Sequence, residues 1–452
     1  MKQTSFPRRW LERLVAVRPG EMPALLWSFA YFFCLLAGYY VLRPLRDEMG
    51  IAGGVRNLQW LFTATFIVML GAVPLFGAVV ARLPRRRFIP LVYHFFVLNI
   101  AIFWLLLTFD IGKVQVARVF FVWISVFSLF TVSIFWSFMA DLFASEQGKR
   151  LFGFIAAGGS AGALLGPAVT VALAQPLGPV NLLIVAALFL ELAVLCARRL
   201  ESAAAHVNKA ASEAGAEPTL SATESETRVL GGSWLEGIIL LLRSPYLGGI
   251  ALWVALLSLA GTFLYFQQAS IVAAASDDPS VRVRIFAVID LSIGILTIAV
   301  QFLATGRLIA RFGVGSAAAF LPCIFGLGFL ALVVSPTLVV VIIFQAVQRT
   351  ANFAISNPAR EVLFTVVERA EKYKAKNVID IVVFRGADAF NGWLFATLRA
   401  AGLEPGTISL ATLPLALAWA VLAVALGRAQ ERRAQQGEQL VAVTGVPTRK
   451  DA

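Results

Sequence analysis

The feature that most limits how this chain can fold is a succession of apolar runs, each about twenty residues long. A helix of that length crosses the hydrocarbon core of a bilayer, whereas a membrane β-strand needs only about ten alternating residues, a pattern that is absent here. Of the 452 residues, 59% are hydrophobic and 14% are charged. The sequence therefore predicts an all-α membrane protein with twelve transmembrane helices, at residues 22–43, 58–81, 88–109, 114–140, 150–174, 179–197, 246–272, 284–304, 314–334, 336–357, 378–400 and 407–427.

Lysine and arginine residues indicate which side of the membrane each loop faces, because cytoplasmic loops are enriched in them. With both termini in the cytoplasm, inside loops hold cation clusters such as residues 85–87 and 372–376, whereas outside loops hold few, such as Lys113. The net charge of +12 follows from these loops, and we expect no nucleic-acid partner. The asymmetry predicts an even number of spans and an inner-membrane location.

A long polar segment with few aromatic residues separates six predicted spans from six. The predicted organisation is an N-terminal six-helix half at 1–200, a flexible cytoplasmic linker at 201–233, a C-terminal six-helix half at 234–428 and a cytoplasmic tail at 429–452. The halves repeat a Gly-x-x-x-Ala-Arg loop, once at residues 77–82 and again, as a related run, at 306–311. Two pseudo-repeated halves resemble the major facilitator superfamily, in which the substrate lies between the halves at mid-membrane.

Charged side chains in or beside these spans are the candidate functional residues. An ion at the bilayer centre costs at least about 2.5–3.5 kcal/mol on insertion scales, so it usually faces a partner or a wet cavity. The candidates are Arg43, Arg46, Asp47, Arg118, Asp141, Glu191, Asp290, Arg349, Asp380, Arg385 and Asp388.

Several of these residues also have a plainer interpretation. Pro44 could end the first helix and leave Arg43 in the interface, with Arg46 and Asp47 as a surface ion pair. Asp141 and Glu361 lie near cytoplasmic cations and fit gating pairs as well as substrate contacts.

The eleventh predicted span carries three of the charged residues. On an α-helix Asp380 and Arg385 project about 140° apart, whereas Arg385 and Asp388 share a face. Arg385 could bind an anion whose affinity a nearby carboxylate limits, and proton coupling through a carboxylate is the alternative.

Other patterns predict structure rather than chemistry. The glycine-rich run at 156–167 lacks the Gly-Lys-Ser/Thr ending of a phosphate-binding loop, and its small residues predict close helix packing. The three cysteines, Cys34, Cys196 and Cys323, are expected to be small core residues. His94 and His206 are too few and too far apart for a metal site, and we expect neither a cofactor nor an enzymatic activity.

Four motifs, in this order, resemble the bacterial and plastid nucleotide transporters that exchange ATP for ADP. They are Tyr-Val-Leu-Arg-Pro-Leu-Arg-Asp at 40–47, Phe-Trp-Ser-Phe-Met-Ala-Asp at 135–141, Asn-Pro-Ala-Arg-Glu at 357–361 and Ile-Asp-Ile-Val-Val-Phe-Arg at 379–385. The resemblance covers about residues 22–425 and implies a major facilitator-like nucleotide antiporter in a bacterial inner membrane.

The sequence departs from that family at charged positions. Arg46 replaces a lysine, which keeps the positive charge and favours bidentate phosphate binding. A family lysine falls on Asp388, and a family acidic residue falls near Gln267 or Gln268. Fold and transporter class therefore carry over more directly than strict ATP/ADP exchange.

Together, the residues and the resemblance imply exchange of an anionic, nucleotide-like or phosphorylated solute by alternating access. The substrate-binding residues are expected to be Arg43, Arg46, Arg349, Arg360 and Arg385, and the coupling or gating residues Asp47, Asp141, Asp290, Glu361, Asp380 and Asp388. The alternatives are a proton-coupled carrier or exporter of an amphiphile and a non-transporting membrane partner. We expect a monomer that contacts membrane lipids and a small anionic substrate.

Overall fold

The computed structural model describes residues 21–82, 85–143, 145–213, 234–303 and 305–444, and within these ranges it contains helices and no β-strand. The helices are α1 (Met22–Ala52), α2 (Leu58–Arg82), α3 (Arg85–Thr108), α4 (Lys113–Leu142), α5 (Ser145–Leu177), α6 (Leu182–Glu213), α7 (Trp234–Arg243), α8 (Pro245–Ala275), α9 (Pro279–Leu303), α10 (Thr305–Val334), α11 (Leu338–Ala351), α12 (Asn357–Leu363), α13 (Arg369–Asn377), α14 (Phe384–Ala400) and α15 (Pro405–Thr444). Short 3-10 turns cover Val55–Asn57 and Phe364–Val366, and π-helical turns cover Asn352–Ser356 and Val378–Val383.

The all-helical membrane fold predicted from the sequence is confirmed. In the described ranges, ten segments are long and apolar enough to cross a bilayer, and each corresponds to a predicted span. The sixth and eleventh predicted spans are helical but carry more charge. Glu191, Arg198 and Arg199 lie in α6, and the eleventh contains two acidic residues and two arginines.

The outward-facing side chains suit lipid rather than water. Ile67, Leu91, Leu188, Leu327 and Leu417 are each at least 60% exposed. A soluble protein rarely exposes so much apolar surface, whereas a helix facing hydrocarbon needs it.

Contacts within the chain define two compact units. Unit 1 consists of the described residues within Met1–Met49, Ala72–Arg228 and Asp278–Leu291. Unit 2 consists of those within Gly50–Gly71, Val229–Asp277 and Ser292–Ala452. The first part of α2 thus belongs to unit 2, and the first part of α9 belongs to unit 1.

In unit 1, α1 and α5 pack with their backbones in close approach. A Cβ atom on Gly166 would lie 2.6 Å from the carbonyl oxygen of Ala37, and one on Gly162 would overlap the carbonyl oxygen of Phe33. Only glycine fits at such positions. The predicted role of the small-residue run at 156–167 in helix packing is confirmed.

The interior of unit 1 is aromatic. Tyr31 of α1 is fully buried and stacks edge-on against Phe135 of α4, with ring centroids 4.9 Å apart. Its hydroxyl group lies 2.6 Å from that of Tyr93, which donates in turn to the carbonyl oxygen of Thr131. These contacts join α1, α3 and α4 while keeping both buried hydroxyl groups hydrogen-bonded.

The interior of unit 2 is built around α8, α10 and α15. Trp253 and Trp419 are buried with ring centroids 5.8 Å apart, and Phe325 of α10 lies 5.7 Å from Trp419. Helices α10 and α15 cross at Gly315 and Gly427, where a Cβ atom on Gly427 would overlap the backbone of the other helix. This close contact fixes the two helices side by side.

One of the plainer interpretations of the charged residues is wrong, and so is the prediction for one cysteine. Helix α1 continues through Pro44 to Ala52 and Asp47 is only 4% exposed, so Arg46 and Asp47 do not form a surface pair. A proline within a membrane helix is tolerated where neighbouring helices cover the freed backbone carbonyl. Cys323 is exposed rather than part of the core, because it shares an outward face of α10 with Phe320 and Leu327.

Helices extend into both segments that were predicted to be polar connections. Helix α6 continues to Glu213, so the first part of the predicted linker is helical, and residues 214–233 lie outside the described part of the chain. Helix α15 continues to Thr444, well into the predicted tail.

Candidate functional site

The charged candidates divide between the two units. Unit 1 contains Arg43, Arg46, Asp47, Asp141 and Asp290, and unit 2 contains Arg349, Arg360, Glu361, Asp380, Arg385 and Asp388. Asp141 occupies the last turn of α4 and Arg349 the last turn of α11, and both side chains are half-buried.

In unit 1, the end of α1 presents two arginines to carboxylates. Nη1 of Arg43 lies 3.5 Å from Oδ1 of Asp290, a residue of α9, and Nη1 of Arg46 lies 3.3 Å from Oδ1 of Asp47. The Arg46 guanidinium also lies over the Phe121 ring, 4.1 Å from its centroid. Sequence spacing placed both arginines near the end of the first span, but it gave no indication that Asp290 pairs with Arg43.

One turn further along α1, a tighter pair joins Glu48 to Arg282. Nε and Nη2 of Arg282 donate to the two carboxylate oxygens of Glu48 at 2.7 and 2.6 Å. Glu48 is 2% exposed, so this is a buried bidentate ion pair. Sequence reasoning missed it because the partners are 234 residues apart, and Arg282 reads as a loop cation.

A second tight pair lies at the opposite end of α1. Arg150 of α5 donates from Nη2 to Oε1 of Glu21 at 3.0 Å, and Gln147 donates to the same oxygen at 2.9 Å. Glu21 is fully buried, which makes this contact a structural anchor between the start of α1 and α5.

In unit 2, Asp388 is the centre of a buried polar cluster. Ser258 of α8 donates to its Oδ1 at 2.6 Å, Thr262 lies 3.4 Å from the same oxygen, and Nη1 of Arg385 lies 3.5 Å from Oδ2. Asn391 donates to Ser258 at 3.3 Å. The pairing of Arg385 with Asp388, three residues apart, is the one that helical spacing predicts.

The two motifs that resemble the nucleotide transporters in unit 2 lie at π-helical turns. The turn Asn352–Ser356 directly precedes the motif at 357–361, and the turn Val378–Val383 contains Asp380. Such turns are frequent at functional sites because they open the helical hydrogen-bond ladder and redirect side chains. The 140° angle predicted between Asp380 and Arg385 therefore does not apply, since it assumes an α-helix.

One ion pair connects these motifs, and a second joins the first motif to α13. Arg360 lies 3.0 Å from Oδ1 of Asp380, and Nζ of Lys376 lies 2.7 Å from Oε1 of Glu361. Arg360 and Asp380, which the sequence assigned to different roles, are thus in direct contact.

Four buried glutamines in unit 2 are hydrogen-bonded, and three of them form a chain from α11 to α8. Gln348 donates to Gln345 at 2.7 Å, Gln345 donates to Gln268, and Gln267 donates to Ser409 at 2.9 Å. In the sequence, the signals for this chain are the three-residue spacing of Gln345 and Gln348 within a predicted span and the resemblance that singles out Gln267 or Gln268. Buried amides in membrane helices are costly unless paired, and each of these has a partner.

The long apolar helices, the lipid-type surface and the charges paired within the helices define a multi-pass membrane protein. Residues 58–363 match the family model of the Major Facilitator Superfamily, which is more than half of the chain. The chain belongs to this superfamily and is a secondary transporter. No curated protein matches it significantly by sequence.

Solved structures share its fold at low sequence identity. The nucleoside transporter NupG is 13% identical with a TM-score of 0.59, and the similarity covers 92% of this chain and 99% of that one. A POT family transporter in complex with 5-aminolevulinic acid is 12% identical with a TM-score of 0.59, covering 90% and 96%. A bacterial metal transporter is 13% identical with a TM-score of 0.57, covering 92% and 99%. These likenesses establish the fold and leave the solute open.

Proposed function

We propose that the protein is an inner-membrane antiporter that exchanges anionic, nucleotide-like or phosphorylated solutes. In this proposal both termini are cytoplasmic, as the distribution of lysine and arginine indicates. Arg43, Arg46, Arg349, Arg360 and Arg385 contact the solute.

The observation that carries the proposal is the length of the ion pairs. Arg43, Arg46 and Arg385 lie 3.5, 3.3 and 3.5 Å from their carboxylate partners. A charge-assisted hydrogen bond between guanidinium and carboxylate is normally about 2.7–2.9 Å long. These three contacts are longer than such a hydrogen bond, which suits arginines that exchange a carboxylate for a phosphate and back.

The contrast with other pairs in unit 1 supports this interpretation. Arg282 and Arg150, which no motif marks, bind their glutamates at 2.6 and 3.0 Å. The chain thus forms tight ion pairs where they serve structure. The three longer contacts involve arginines of motifs that resemble a family of anion exchangers, whereas Arg360 and Asp380, in two of these motifs, pair at 3.0 Å.

Solute release needs the carboxylates as much as binding needs the arginines. A cluster of unpaired guanidinium groups would bind a phosphate tightly and slow its exit. Asp290 and Asp388, both buried, can take the cations back as the solute leaves. Differential binding of this kind lets a carrier turn over.

The proposal is tested with purified protein in proteoliposomes loaded with ADP. We expect external labelled ATP or another nucleotide to enter only when the vesicles contain a counter-solute. Arg385→Ala should abolish exchange and Arg385→Lys should retain part of it, because lysine keeps the charge but loses the bidentate fork.

Arg243→Gln is the matched control, since Arg243 is an exposed arginine of unit 2 outside the candidate site. It should exchange at the wild-type rate. If no nucleotide or phosphate ester exchanges, and Arg385→Ala changes the uptake of no anion, the proposal is wrong.

A proton-coupled carrier of an amphiphile is the second candidate. It is favoured by the burial of Asp290 and Asp388, at 3% and 8% exposed, within membrane-spanning segments. Uptake would then be driven by a pH gradient without a counter-solute. It would be lost in Asp290→Asn or Asp388→Asn.

A further inference from the structure

Unit 2 contains a cavity that no motif marks. Its volume is about 800 Å³, within the range typical of small-molecule sites. It is lined by the turn before α2 and by the C-terminal ends of α8 and α14. In the topology proposed above, these three ends lie on the side of the membrane opposite the termini.

Two polar side chains of the cavity, those of Gln59 and Arg56, lack a partner among the described residues. Gln59 is 9% exposed and lines the cavity, and its side-chain amide has no hydrogen-bond partner within the described residues. Arg56 lines the same cavity, is exposed and forms no ion pair with any described residue. A buried amide without a partner is costly, which indicates that a ligand or water completes its hydrogen bonds.

The walls of the cavity are apolar and aromatic. Phe266 and Phe395 line it, with ring centroids 5.2 Å apart and their planes inclined at 59°. The second cation, Arg399, donates to the carbonyl oxygen of Leu403 at 3.0 Å and lies 3.2 Å from a carboxylate oxygen of Glu404. The lining itself therefore contains two arginines and no acidic residue.

We propose that this cavity binds a phosphate ester, with the phosphate at Arg56, a polar group of the ester at Gln59 and its apolar or aromatic body against Phe266 and Phe395. A guanidinium without a carboxylate partner attracts a phosphate. The amide can both donate and accept, so it suits a hydroxyl, carbonyl or ring-nitrogen group next to the phosphate.

Two sources can supply this chemistry: a free nucleotide and the headgroup of an anionic lipid. Both join a phosphate to a body that can lie on aromatic rings. The binding site does not depend on the exchange reaction proposed above, since none of its lining residues belongs to the candidate transport site.

The test measures binding to the full-length protein in a neutral detergent by calorimetry. The probes are AMP, adenosine, and short-chain phosphatidylglycerol below its micelle concentration. We expect AMP or phosphatidylglycerol to bind, and adenosine to bind at least about tenfold more weakly than AMP if AMP is the ligand. Which of the two phosphate probes binds identifies the source.

Substitutions in the lining test whether the measured binding takes place in this cavity. Arg56→Gln and Gln59→Leu should each raise the dissociation constant at least about tenfold, and Ala274→Trp, at an exposed position of the lining, should block binding. Arg243→Gln should leave binding unchanged. Arg385→Ala should leave unchanged the part of the binding that Arg56→Gln weakens, which separates this site from the transport site.

The proposal is overturned if neither phosphate probe binds, or if adenosine binds as tightly as AMP. It is equally overturned if the dissociation constant is the same in Arg56→Gln, Gln59→Leu and Ala274→Trp as in the wild type. Thermal unfolding of each variant checks that it is folded. Because Arg56 and Ala274 are exposed, those two variants should unfold at the wild-type temperature.

Discussion

Arg282 binds Glu48 through two parallel hydrogen bonds of 2.7 and 2.6 Å, and these tie the beginning of α9 to the end of α1 within unit 1. Helix α9 begins in unit 1 and its later residues belong to unit 2. Arg43 and Asp290 form a looser pair between the same two helices, at 3.5 Å. The segment at 278–291 is thus fastened to α1 by one tight and one loose ion pair.

The tight pair predicts a large loss of stability when one partner is removed. Glu48→Gln or Arg282→Ala removes the bidentate ion pair while the remaining side chain stays largely buried, at a cost of about 3–5 kcal/mol. We expect each variant to lower the midpoint of thermal unfolding. The charge swap Glu48→Arg with Arg282→Glu should recover part of the loss.

The matched control is the exposed pair of Lys113 and Asp110, 3.5 Å apart and three residues apart in sequence. Lys113→Ala should change the free energy of unfolding by less than about 1 kcal/mol. A swap that is no more stable than the single variants would show that the two residues act separately.

The features of the fold that could be predicted from the sequence are those that depend on neighbouring residues along the chain. Apolar run length predicted the ten helices that meet the criterion for a membrane span, because one helix crosses the bilayer with its hydrogen bonds satisfied internally. The three-residue spacing of Arg385 and Asp388 predicted their contact for the same reason. Both properties depend on residues that are close in sequence.

The unpredicted part depends on tertiary contacts. The partner of Arg43 is 247 positions away, and the partner of Glu48 is 234 away, so no local pattern encodes either pair. The π-helical turn at Val378–Val383 also escaped prediction, because its residues are ordinary for an α-helix. Gln59 reads as a single polar residue, and only the cavity around it marks it as a candidate ligand contact.

The contact between α1 and α5 predicts a selective effect of glycine substitution. Gly166→Ala would place a methyl group 2.6 Å from the carbonyl oxygen of Ala37 and 2.7 Å from Cβ of Tyr40, so one helix must move. We expect a lower unfolding temperature and reduced transport. Gly153→Ala in the same helix is the control, because its Cβ would meet nothing within 4 Å.

Alanine favours the helix over glycine by about 1 kcal/mol, so Gly153→Ala should be neutral or slightly stabilising. The packing argument requires the two variants to differ in thermal unfolding. Equal unfolding temperatures for Gly153→Ala and Gly166→Ala would contradict it.

The chain formed by Gln348, Gln345 and Gln268 predicts that replacing Gln345 alone lowers stability more than replacing all three glutamines. Gln345→Leu removes the donor to Gln268 and the acceptor of Gln348, which leaves two buried polar groups unpaired at about 1–3 kcal/mol each. Replacing Gln268, Gln345 and Gln348 together with leucine also removes the two groups that would be left unpaired. We expect the triple variant to unfold at a higher temperature than Gln345→Leu, and the opposite order would show that the amides are not coupled.

The environment of Asp388 predicts that the lysine found at this position in the nucleotide transporters is not tolerated here. Ser258 and Thr262 direct hydroxyl groups at Oδ1, and Arg385 faces Oδ2, so the site is built for a carboxylate. Asp388→Lys would place an ammonium group beside a guanidinium group and remove the acceptor of Ser258. We expect it to lower the unfolding temperature more than Asp388→Asn does, and not to increase nucleotide exchange.

Asp388→Asn separates the two roles of this carboxylate. The amide oxygen can still accept from Ser258, but the charge that holds Arg385 is lost. If Arg385 binds the solute, the phosphate then no longer competes with the Asp388 carboxylate for the guanidinium group, so KM for the anion should fall. Because the solute is released more slowly, kcat for exchange should fall as well. Exchange kinetics in proteoliposomes measure both constants, with Asn391→Asp as a control that adds a charge nearby without releasing Arg385. An unchanged KM in Asp388→Asn would mean that Asp388 does not limit the affinity of Arg385 for the solute.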